Sequence, residues 1–139
     1  MAKKKVLVVD DDPNAVKYLS VMLSEQGYAV ATAGNCEDAL AAARKHRPDL
    51  ITLDIHMPRK SGVFFYHRLK ADEAFRSVPV VVVTGLTRSD KEMEGLIRSL
   101  LEPANMPPPE AYLEKPIDPP MFLRTVRAAI DKAARAGQN

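Results

Sequence analysis

The chain has 139 residues, the size of one ordinary domain, and 46% of them are hydrophobic, enough for one continuous core. Charged residues of both signs make up 27% and the net charge is only +2, which excludes a compositionally disordered chain and a dedicated nucleic-acid surface. The single cysteine, Cys36, excludes an internal disulfide, and the longest apolar stretch, Val78–Val83, is far short of the ~20 residues of a membrane span.

Lys3–Lys5 solvate the start of a first strand, Val6–Val9. That apolar run stops at Asp10, Asp11 and Asp12, too early for the core of a signal peptide, so a soluble, cytoplasmic protein is expected. Asp12-Pro13 is a good N-cap and first-turn pair, and Val16, Leu19 and Leu23 mark the helix it opens. Gly27 ends that helix, and Tyr28–Thr32 reads as a second strand. Asn35 can cap a second helix with Cys36, Ala39, Leu40 and Ala43 on its inner face, stopped by Pro48. Cys36 reads most simply as a small buried hydrophobe.

Leu50–Leu53 is a third strand ending at Asp54, and the loop Met57–Gly62 leads into a helix carrying Phe65 and Leu69. Pro79–Val83 is a β-branched fourth strand ending at Thr84. Ser89-x-x-Glu92 has the form of a capping box, followed by Met93, Leu96, Ile97 and Leu100 at helical spacing. The proline-rich tract 102–110 then interrupts the chain before a fifth strand, Ala111–Glu114. Asp118-Pro119 is set to cap a last helix whose inner face is Phe122, Val126, Ala129 and Ala133.

Short apolar runs alternating with segments of helical period are the mark of a parallel sheet covered on both faces. Five such units predict a flavodoxin-like, doubly wound α/β fold: a five-stranded parallel sheet in order 2-1-3-4-5 with five flanking helices, two on one face and three on the other. In these sheets ligands bind beyond the carboxyl ends of the strands, at the switch point between the first and third. Asp10 and Asp11 follow strand one, Asp54 ends strand three, Thr84 ends strand four and Lys115 follows strand five. A single aspartate after a strand is as readily a turn or a cap, and for Asp12 beside Pro13 the cap is the better reading. Three carboxylates at one sheet edge repel one another and call for a cation, and hard oxygen ligands with room for water suit Mg²⁺.

These residues lie in four short motifs, Val8-Val-Asp-Asp11, Leu53-Asp-Ile-His-Met-Pro58 with Gly62 beyond, Val81-Val-Val-Thr-Gly85 and Tyr112-Leu-Glu-Lys-Pro116. Together they resemble the two-component response-regulator receiver family, CheY-like and single-domain, over nearly the whole chain. The resemblance implies that Asp54 is the phosphoacceptor. Asp10, Asp11 and the backbone carbonyl of His56 would hold Mg²⁺, with Mn²⁺ as a substitute. Lys115 would pair with the phosphoryl oxygens, and Thr84, Gly85 and Tyr112 would make the phosphoryl-sensing switch. It also implies a histidine kinase or histidine phosphotransfer protein as donor and a downstream protein target. That target would be met through the face of the fourth helix, fifth strand and fifth helix. Neither nucleic acid nor membrane is implied, and the state would be a monomer or a weak phosphorylation-dependent dimer. The Lys115–Pro116 bond is expected to be cis.

The histidine side chains divide. His46 lies at a helix C-terminus, where an imidazole is mildly favourable, and His67 is expected on an exposed helix face. The His56 side chain is expected to reach toward the phosphoryl group and tune its hydrolysis. Arg59 and Lys60 read as a solvated loop. The chief departure from the family lies between Thr84 and Lys115, which stand 31 positions apart, more than receivers usually show. Its prolines favour an extended, stiff insertion over a longer helix.

One receiver domain is therefore expected over 1–139, folded from about 4 to 135, with no output domain after the last helix; a piece of a longer regulator would read the same. It would be a switch, catalysing only its own phosphorylation and dephosphorylation. The competing reading is a Mg²⁺-dependent aspartate-nucleophile phosphohydrolase, but that chemistry wants a second acid two residues after the nucleophile, where His56 stands. A flavin-binding module is disfavoured by Asp10–Asp12, which would repel the flavin phosphate.

Overall fold

A computed structural model describes residues 3–87, 89–103 and 105–137. Five parallel strands, β1 (Lys5–Val9), β2 (Ala29–Ala33), β3 (Leu50–Leu53), β4 (Val80–Thr84) and β5 (Ala111–Glu114), form one sheet in the order β2-β1-β3-β4-β5. The helices between and after them are α1 (Pro13–Glu25), α2 (Cys36–His46), α3 (Ser61–Ala71), α4 (Lys91–Leu101) and α5 (Pro119–Ala136). This is the expected flavodoxin-like architecture. None of these helices is long and apolar enough to cross a membrane.

The sheet separates two cores. Alternate residues of the strands pack Leu19 and Leu23 of α1 with Phe122, Val126 and Ile130 of α5 on one face. The other face carries α2, α3 and α4 through Leu40, Phe65, Tyr66, Leu69, Met93 and Leu100. The central strands β3 and β4 are buried along their whole length, which is why they read as unbroken apolar runs.

The local signals hold at α1 and α2, where Asp12 accepts from the Asn14 N–H and Asn35 from the Asp38 N–H, and Pro13 opens α1. Elsewhere they needed correction. The expected capping box does not form: α4 starts one residue later, and Asp90 rather than Ser89 accepts the Glu92 N–H. Asp118 occupies the cap position of α5 without a side-chain cap bond. Ile130 rather than Ala133 closes the inner face of α5, and Cys36 is half-buried rather than fully so. β2 and β4 sit one residue later than expected, because the register pairs Val9 with Ala33 and Thr84 with Glu114.

His67 is the clearest revision. It is partly buried, and its Nε2 donates to the carbonyl of Ser99 at 2.8 Å, with Leu100 O at 3.2 Å. It thus satisfies carbonyls that the last turn of α4 cannot bond internally. The proline-rich segment follows soon after, and its described residues are tied down. The Tyr66 hydroxyl donates to Pro107 O, the Arg76 guanidinium donates to Asn105 O at 3.0 Å, Met106 packs on the core, and Lys132 pairs with Glu110 at 2.9 Å. The Lys115–Pro116 peptide is cis, as expected.

Lys70 is 3% exposed, and its ammonium donates to the carbonyls of Phe75, Arg76 and Val78 in the α3–β4 turn. Burial, helped by the charge of Arg76, lowers its pKa from 10.5 to about 8. Between those values the unfolded chain holds a proton that the folded chain has lost, so this group makes stability rise with pH across that window. Replacing Lys70 by methionine should flatten the rise in urea-unfolding free energy between pH 8 and 10. An unchanged pH slope in the variant would show that another group sets it.

Candidate functional site

The β1 and β3 ladders continue one step past their last strand residues, because Asp10 N–H donates to Ala33 O at 3.1 Å and Asp54 N–H to Val9 O at 3.0 Å. Both carboxylates are thereby aimed from rigid backbone at the carboxyl edge of the sheet. Asp10 Oδ1 accepts the Asp12 N–H and Asp54 Oδ1 accepts the His56 N–H, at 2.9 and 2.8 Å. Asp10 and Asp54 are buried while Asp11 is exposed, and the three offer carboxylate oxygens that lie within 4.8 Å of one another.

Lys115 answers that charge. Its backbone N–H donates to Thr84 O, which places it at the end of β5 beside the cluster. Its ammonium sits 2.7 Å from Asp10 Oδ2 and 3.3 Å from Asp54 Oδ2. Burial alone would lower the lysine pKa, but the hydrogen bond to Asp10 and the charges of Asp54 and Asp10 outweigh it and raise the value. Burial pushes the Asp54 carboxyl up, against the opposing pull of the His56 N–H and Lys115. The closer pairing of the lysine with Asp10 leaves Asp54 the less compensated carboxylate.

The sheet edge also gathers the other expected residues. Thr84 is buried, with its hydroxyl accepting the Leu86 N–H at 3.3 Å. Gly85 is exposed, and a Cβ added there would meet nothing within 4 Å. Tyr112, opposite Val82 in the ladder, is half-buried against the core that includes α3 and α4. The His56 side chain is engaged by α4, where Nε2 meets Glu92 Oε1 at 2.8 Å.

Two features escaped the sequence reading. Gly62, known there only as part of a motif, packs its backbone against Asp54 and Ile55: a Cβ would lie 2.7 Å from Asp54 O and 2.9 Å from Ile55 Cα. The close approach follows two consecutive non-glycine residues in the left-handed region, Arg59 at φ 59° and Lys60 at φ 55°, a strained turn of the kind found at functional sites. Glu92 gave no signal beyond its place in an apparent helix cap, because its partner lies on a different loop.

The donor set fits a hard divalent cation. Three carboxylates converge, two from adjacent positions and one from the neighbouring strand, with the exposed Asp11 open to solvent and the His56 backbone beside Asp54. A family model described as the response regulator receiver domain matches residues 6–127. The polar-differentiation response regulator DivK of Brucella anthropi is 33% identical over 130 residues, covering 94% of this chain and 98% of its own. Chemotaxis response regulator CheY4 of Vibrio cholerae superposes with a TM-score of 0.76 at 28% identity, covering 92% and 99% of the two chains. A CheY-like receiver domain protein from Methanospirillum hungatei reaches 0.80 at 21% identity over 97% and 99%, a likeness of fold.

The raised Asp54 pKa has a thermodynamic sign. The folded chain releases this proton at higher pH than the unfolded chain, so ionised Asp54 opposes folding at neutral pH. Asp54→Asn should therefore raise the thermal midpoint at pH 7 in metal-free buffer, and the gain should shrink as the solution is acidified. Scanning calorimetry across pH 4 to 7 checks this, and a variant destabilised at every pH would contradict it.

Proposed function

The chain belongs to the response regulator receiver domain family of two-component signalling, and on that premise we propose that it accepts a phosphoryl group on Asp54 and relays the change to a protein partner. The observation that carries this reading is Lys115 held between the buried carboxylates of Asp10 and Asp54, beside a third carboxylate from Asp11. A structural ion pair needs one carboxylate; two buried ones on a single ammonium leave room for another positive centre.

In this reading Asp10, Asp11 and the His56 carbonyl hold Mg²⁺, or Mn²⁺ in its place. The ion would neutralise charge on the transferring phosphoryl oxygens. A carboxylate oxygen of Asp54 attacks the phosphorus of a phosphohistidine on a kinase or phosphotransfer protein; the P–N bond breaks and the imidazole leaves with its electron pair. Burial favours the reaction at Asp54, because it leaves that carboxylate poorly solvated and therefore nucleophilic. Lys115 supplies a fixed positive charge to the phosphoryl oxygens from the position it already occupies.

The new phosphoryl group carries close to two negative charges and three acceptor oxygens. Thr84 would exchange its bond with the Leu86 N–H for one to those oxygens, and Gly85 leaves space for the change. Movement of Thr84 and of Tyr112, both at the β4–β5 edge, would remodel the face of α4, β5 and α5 where a downstream protein docks. We read 4–135 as one such domain, acting by protein contact as a monomer or a weak dimer, as a switch that turns over only its own phosphoryl group.

Incubation with Mg²⁺ and acetyl phosphate should give one phosphoryl adduct by intact mass, absent in Asp54→Asn and absent when the metal is chelated. Beryllofluoride binding, followed by NMR, covers an adduct too short-lived to weigh. An adduct that survives in Asp54→Asn, or neither adduct nor beryllofluoride binding in the unmodified protein, would overturn the assignment.

A further inference from the structure

His56 lies two residues beyond Asp54, on the loop that closes one side of the site, and its backbone N–H already orients the Asp54 carboxylate. Its ring is 47% exposed and pairs with Glu92, itself 57% exposed in the first turn of α4. Both side chains line an open groove between the β3–α3 loop and α4, a space of about 740 Å³ that also reaches Asp11. The groove leaves the imidazole room to swing. The bond to Glu92 holds the ring against α4.

Resting on the function proposed above, we propose that Glu92 is a positioning residue that sets the lifetime of the phosphoryl group by tethering the His56 ring to α4. The bond needs an N–H at Nε2, which one neutral tautomer and the imidazolium both supply, so it does not depend on a change of charge. While the tether holds, the approach to phosphorylated Asp54 stays open to water. When it breaks, the ring is free to close over the anionic phosphoryl oxygens, donate to one of them and exclude water. A hydrogen bond to a charged group is strong enough to alter a rate by about tenfold. By the same geometry, whatever draws the first turn of α4 away from the loop, a bound partner included, lengthens the signal.

The test is a mutant cycle on the loss of label from Asp54 after phosphorylation with acetyl phosphate. Glu92→Ala should lengthen the half-life several-fold, whereas Glu92→Gln, which can still accept the Nε2–H, should stay close to the unmodified protein. In a His56→Ala background the same Glu92→Ala change should have no effect. NMR of the unphosphorylated protein gives an independent readout: Glu92→Ala should shift the His56 ring Nε2 resonance and Glu92→Gln should shift it less. A half-life unchanged or shortened by Glu92→Ala, or lengthened equally when residue 56 is alanine, overturns the proposal. So does a ring resonance indifferent to Glu92. Failure of the unmodified protein to take a phosphoryl group would instead strike the proposed function, and the ring resonance would still decide whether the tether exists.

Discussion

Like charge held together at the end of a sheet is the constraint around which this molecule is arranged. Asp10 and Asp54 are buried, aimed by backbone hydrogen bonds, and offset by one ammonium that reaches both. A hydrophobic core of this size could be built without them, and burying carboxylates opposes folding unless each is compensated. The doubly wound topology makes the arrangement reachable, since it brings the ends of β1, β3 and β5 to one edge although Lys115 lies 105 residues after Asp10. The stability forgone there is recovered in the two cores that flank the sheet.

Much of this was legible in the chain. β3 and β5 fall where apolar runs with abrupt polar ends place them, and the strand order followed from regular alternation of strand and helix. The site was legible because its members stand at strand ends, positions that the fold class alone brings together. What could not be read depends on partners far away in sequence. The shifts of β2 and β4 are settled by the neighbouring strand, through Ala33 on Val9 and Glu114 on Thr84. Ser89 and Asp90 are both good caps one residue apart, and local pattern could not choose between them. His67 looked like a surface histidine because its use lies at the end of another helix.

The same kind of distant partner explains the proline-rich segment. From sequence it is a long interruption before β5, and loops of that sort are usually tolerant of change. Here it is threaded through Tyr66, Arg76, the core-facing Met106 and Lys132, so that α3 and α5 both hold it. The segment begins directly after the helix end that His67 caps. α3 therefore does two things: its first turn presses Gly62 against Asp54, and its later turns fasten the far end of α4.

That unequal fastening gives α4 the mechanics of a lever. Its C-terminal end is held by His67 and by the chain that leaves it, whereas its N-terminal turn is tied to the β3–α3 loop by the His56–Glu92 bond. Eleven residues of helix span about 16 Å at 1.5 Å per residue. A tilt of about 10° around the held end would then carry the first turn through roughly 3 Å at that length, enough to break one hydrogen bond while leaving the fulcrum packed. Amplification of a small chemical change would thus come from leverage, with the fulcrum supplied by His67 and the proline-rich segment that leaves the helix.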